Sequence, residues 1–98
     1  MQMKKTVKIT YKNDDLELKF GIKSQLVFSK LTGRLYKGDT LEDNFYIFLS
    51  AITVALGKKP DIDEFCDWVD ENPEPFVKFM DYLTDIFTNG DDIKDKTE

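Results

Sequence analysis

The chain has 98 residues, 41% hydrophobic and 34% charged, with 5 Gly, 3 Pro and a net charge of −5. That length suits one domain with one modest core, and the composition excludes collagen-like, low-complexity and wholly disordered classes. The charge is unevenly spread: residues 1–60 hold eleven Lys and Arg against six Asp and Glu, a net +5, whereas residues 61–98 hold three Lys against thirteen acids, a net −10. An acidic total argues against nucleic acid as a partner, because phosphate binding needs a cationic surface.

There is no histidine. Ser–His and Cys–His nucleophile pairs, histidine metal ligands and a histidine general base are therefore excluded. Cys66, the single cysteine, can form neither an intrachain disulfide nor a multi-cysteine zinc site, and a reduced cytoplasm is the expected compartment. The basic N-terminal residues are not followed by an apolar h-region, so no signal peptide is expected. The most apolar run, residues 45–56, is too short to span a membrane and reads as a buried helix.

In chain order, residues 6–20 read as a β-hairpin. Val7, Ile9 and Tyr11 alternate with polar residues, as do Leu16, Leu18 and Phe20 after Asn13-Asp14. A turn at Asn13-Asp14 pairs Tyr11 with Leu16, Ile9 with Leu18 and Val7 with Phe20, placing all six on one face. Residues 23–32 read as a short helix, with Ser24 as candidate N-cap, Leu26, Val27, Phe28 and Leu31 as its apolar side, and Gly33 as its stop. Thr40 caps a second helix, with Asp43 in a capping-box position, and Gly57 ends it. Phe45, Phe48, Leu49, Ile52 and Leu56 follow helical spacing, and Tyr46, Ile47 and Val54 make its other sides apolar, so it is expected to be central.

Asp61 caps a third helix and Glu64 completes its box; Ile62, Phe65, Cys66 and Val69 line one face, and Asn72-Pro73 ends it. Pro75 suits the first turn of a fourth helix. Phe76, Phe79, Met80, Leu83, Ile86 and Phe87 mark its buried stripe, and Asn89-Gly90 stops it. The expected class is α+β, mostly α: a hairpin and about four helices packed as one domain over 1–90, followed by an acidic flexible tail over 91–98.

Asp61, Asp63, Glu64, Asp67, Asp70 and Glu71 crowd the third helix. They alternate with core positions and read as a solvated face, which leaves a carboxylate-dependent hydrolase as the least supported class. An EF-hand loop fails because Phe65 and Cys66 occupy ligand positions, so no metal or cofactor is expected. Cys66 reads as a buried structural thiol. Trp68 lies beside the apolar stripe, at the edge of the core, and reads either as a partly buried packing residue or as an interface anchor. Thirteen aromatics, eight of them Phe, favour protein–protein contact. The candidate partner-binding residues are Trp68, Phe65, Phe76, Phe79, Tyr82 and Leu83.

The order of parts carries a resemblance. A basic hairpin leads into Phe20-Gly21-Ile22-Lys23, then Leu26-Val27-Phe28-Ser29-Lys30-Leu31-Thr32-Gly33. An apolar helix follows, and then Asp63-Glu64-Phe65-Cys66-Asp67-Trp68-Val69-Asp70-Glu71-Asn72-Pro73-Glu74. Over residues 5–88 this resembles the small tail assembly chaperones of long-tailed phages and prophages, with Cys66 standing where a larger aliphatic residue is expected. The resemblance implies a non-enzymatic protein that binds the helical tape measure protein and keeps it soluble before the tail tube polymerises around it. Many members of that family are also made as a longer frameshifted product whose extension contacts tube subunits, so the tail tube protein is a further candidate partner. No catalytic residue is carried over, and the cytoplasm of the bacterial host is the implied location. The charge split allows self-association, basic hairpin to acidic helices. The alternative reading is an acidic inhibitor or decoy that uses residues 61–98 to bind a basic protein.

Overall fold

The computed structural model describes the backbone of residues 6–97 and the side chains of residues 6–88. The chain forms an antiparallel hairpin, β1 (Val7–Tyr11) and β2 (Asp14–Leu18), followed by α1 (Ile22–Thr32), α2 (Leu41–Leu56), α3 (Ile62–Glu71) and α4 (Pro73–Thr97). The class is α+β, mostly α, as the sequence predicts.

The hairpin turn is tighter than its sequence suggests. Tyr11 pairs with Asp14, Ile9 with Leu16 and Val7 with Leu18, two residues away from the expected register. Lys12 and Asn13 are the central turn residues, with φ of 47° and 75°. Two successive positive φ angles mark the primed turn whose twist matches that of the strands, and this outweighs the alternative four-residue loop. A two-residue shift leaves every side chain on its face. Val7, Ile9, Tyr11, Leu16 and Leu18 are accordingly buried, and Phe20 falls beyond the strand, its ring against Tyr36 and Phe87.

Helix α1 begins one residue before the expected start, with extended Gly21 at the N-cap. Ser24 sits inside the first turn, where its hydroxyl accepts from Gly21 N–H at 2.9 Å. It thus supplies the reciprocal bond of a capping box rather than the cap itself. Only Ser24 and Phe28 of this helix are buried, so its apolar residues do not share one inward face.

Helix α2 is central. Thr40 accepts from Asp43 N–H at its start and Gly57, at φ 85°, closes it. Residues 47–52 are all buried. The helix packs against α1, β2 and α4, while α4 also covers β1 and α3. Asp61 caps α3 by accepting from Glu64 N–H at 3.1 Å, and Glu64 turns its carboxylate to Lys12 Nζ at 3.4 Å. Non-helical Asn72, constrained by the following proline, separates α3 from α4. The expected stop at Asn89-Gly90 is not taken: the helical backbone continues to Thr97. Neither residue lacks an amide, and glycine costs a helix about 1 kcal/mol, a penalty smaller than a break. The side chains of the expected tail over 91–98 lie outside the described residues.

Candidate functional site

The six residues expected to bind a partner are mostly committed to the core. Phe65 and Phe79 are fully buried, Leu83, Tyr82 and Trp68 are buried, and Phe76 is half-buried. Their rings pack on one another and on the central helix. Phe48 lies 5.5 Å from Phe65, 5.3 Å from Phe76 and 5.4 Å from Phe79, centroid to centroid. Trp68 stands edge-on to Tyr11 at 4.7 Å. Such pairs add stabilisation beyond burial, so the aromatic surplus works inside the domain. Tyr82 reaches across the fold to accept from Phe20 N–H at 3.0 Å, tying α4 to the chain leaving the hairpin.

Cys66 is exposed, which corrects the expectation of a buried structural thiol. In α3 the inward row is Phe65 and Trp68, and Cys66 follows Phe65 by about 100°, enough to turn it to the acidic face. Burial and then the carboxylates Asp63, Asp70 and Asp67 push its thiol pKa up, the opposite of nucleophile activation. Asp61, Asp63, Glu64, Asp67, Asp70 and Glu71 are all exposed. Among the described residues no group of three or more Cys, Asp or Glu side chains converges to hold a metal ion.

A cavity of about 530 Å³ lies over the outer face of the hairpin, lined by Lys8, Thr10, Asp15, Glu17 and Lys78 with the edges of Ile9 and Leu16. Its charges are of both signs, and Thr10 donates to Asp15 at 3.0 Å. A second, of about 400 Å³, brings Lys12, Lys58 and Lys59 near Asp14, Asp61 and Glu64. In both, cations and carboxylates answer one another.

A surface of different character lies between α1 and α2. One cavity of about 320 Å³ is lined by Lys19, Gly21, Ile22, Lys23, Ser24 and Val54. Another of about 350 Å³ is lined by Lys23, Leu26, Val27, Thr53, Val54 and Gly57. They share Lys23 and Val54 and so form one trough. Ile22 is 72% exposed, Leu26 59% and Val54 38%. Leu26 is expected on the inward side of α1 and Val54 on an apolar side of α2; both stand exposed. The available signal is the row Ile22–Leu26, one turn apart, on the opposite side of α1 from Ser24–Phe28.

No helix among the described residues is long and apolar enough to cross a membrane. Compared with family models, curated proteins and solved structures, the chain matches none.

Proposed function

We propose that this protein is a non-enzymatic tail assembly chaperone of the long-tailed phage type, acting in the cytoplasm of the bacterial host. It binds the tape measure protein and keeps it soluble until the tail tube forms around it. The observation that carries this reading is the trough between α1 and α2, where Ile22, Leu26 and Val54 remain in solvent although the domain has a complete core. A small domain that leaves an apolar trough beside two helices suits helix-in-groove recognition, and a long amphipathic helical client is the matching partner. The resemblance in residues 20–33 and 63–74 supplies the identity of that client. Tube subunits and further copies of the chain are secondary partners in the same scheme.

Co-expression tests it. A tape measure fragment that is insoluble alone becomes soluble and co-purifies with this chain; a fragment that stays insoluble sinks the proposal. The exposed carboxylates of α3 favour a second reading, an acidic decoy for a basic protein. Recovery of a nuclease or polymerase, displaced by salt, would select that reading instead.

A further inference from the structure

We infer that the α1–α2 trough is the docking face and that its occupant is an amphipathic helix whose apolar stripe is flanked by carboxylates. This rests on the chaperone reading and names the face and the partner chemistry. Ile22 and Leu26 lie one turn apart on α1, and Val54 of α2 lies in the trough beside both. Together they present exposed apolar side chains one turn apart, a spacing that meets apolar residues at i and i+3 or i+4 of a bound helix.

Charge selects the helix. Among the described residues, the trough is lined by Lys19 and Lys23 and by no acid. Exposed Lys30 continues the Ile22–Leu26 row along α1. A helix flanked by Lys or Arg meets like charge here, whereas Asp and Glu flanks meet complementary charge, which governs encounter and partner choice. An anionic membrane is the poorer match, because the chain carries a net charge of −5 and only three apolar side chains, Ile22, Leu26 and Val54, are presented here.

The test uses the full chain and two synthetic amphipathic helices of about four turns, with the same leucine stripe and either Glu or Lys flanks. The Glu-flanked peptide perturbs the amide resonances around Ile22, Leu26 and Val54. It binds at least about tenfold more tightly than the Lys-flanked one at low salt, and the difference shrinks as salt rises. Leu26→Asp abolishes this binding. Val77→Asp, at an exposed apolar position on α4, leaves it intact and controls for folding, with circular dichroism on both variants. Equal binding of the two peptides overturns the inference, as does perturbation at another face. Peptide displacement by phosphatidylserine vesicles in a Leu26-dependent manner, or a dimer that Leu26→Asp dissolves, would assign the trough to a membrane or to a second copy and likewise overturn it. Tape measure solubilisation that survives Leu26→Asp removes the trough and keeps the chaperone reading. Failure of the wild-type chain to solubilise the tape measure removes the chaperone reading, and the peptides still decide the trough.

Discussion

Arg34 ties the connector after α1 to the first turn of α2 by donating from Nε to the carboxylate of Asp43 at 3.1 Å, with Nη2 on the same oxygen. The two ends differ in environment: the Asp43 side chain is 7% exposed and that of Arg34 is 44% exposed. Asp43 therefore depends on Arg34 more than the reverse, since Arg34 also has solvent and the Glu42 carboxylate at 3.7 Å. Leaving a buried charge unpaired costs more than removing both charges. Arg34→Ala lowers the melting temperature by several degrees and by more than Asp43→Asn, which leaves an acceptor in place. Thermal unfolding followed by circular dichroism checks the order, and the reverse order would show that the pair is solvated in solution.

The hairpin turn makes a prediction of opposite signs at one residue. Asn13 holds φ 75°, a conformation that glycine adopts freely, asparagine tolerates and β-branched residues resist. Asn13→Gly stabilises the domain slightly, by about 0.5 kcal/mol. Asn13→Val destabilises it by about 1–2 kcal/mol. Urea denaturation measures both, and equal effects would mean that the turn is remodelled.

How much of this was legible in the sequence follows from which signals are local. The bounds of α2 are: Thr40 and Gly57 each act on the backbone within one turn, and the helix starts and stops where they stand. The hairpin faces are legible because period-two alternation survives a two-residue slip; the register is not, because Lys12-Asn13 lacks the glycine that usually announces a primed turn. The candidate partner-binding residues are mostly buried for a tertiary reason. A stripe such as Phe76, Phe79 and Leu83 says that something covers that face, and here the cover is the protein's own α2 and hairpin. Conversely, α1 carries apolar residues on two sides, and only the position of α2 decides that Phe28 goes in while Ile22 and Leu26 stay out.

Phe65 separates packing from partner contact. Its ring touches Tyr11, Phe45, Phe48 and Trp68 with no exposure, joining α3 to the hairpin and to α2. Phe65→Ala costs about 3–5 kcal/mol by lost burial and the cavity left behind. That is a large share of the stability of a domain this size. Chemical denaturation reads it; a loss below about 1 kcal/mol would show that α3 repacks freely.

Cys66 is exposed, and its surroundings predict slow reaction. Its thiol pKa is raised, first by burial and then by Asp63, Asp70 and Asp67, so the thiolate is scarce at neutral pH. Alkylation by iodoacetamide runs slower than for a free cysteine, quickens as salt screens the carboxylates, and quickens again in Asp63→Asn. A rate indifferent to both changes would remove the electrostatic account.

Tyr36 predicts how the fold fails in alkali. Its hydroxyl donates to Asn44 Oδ1 at 2.7 Å, and its ring packs against Phe20 and Phe28. Burial, then the negative charges of Asp43 and Asp39, push its pKa up to about 12. An unfolded tyrosine ionises near pH ~10. The folded state therefore holds this proton where the unfolded chain has released it. The stabilisation is complete below about pH 10 and is lost as the pH rises towards 12. Tyr82 shifts the same way through burial, opposed by its bond from Phe20 N–H, and steepens the loss. Tyr36→Phe forfeits the bond to Asn44 and so begins less stable at neutral pH, yet its stability declines less steeply in alkali. Urea midpoints taken across the alkaline range, beside tyrosinate absorbance, read both effects. If all four tyrosines titrated together near pH ~10 in the folded protein, Tyr36 would be open to solvent, and the aromatic contact joining the hairpin exit, α1 and the connector would not hold it.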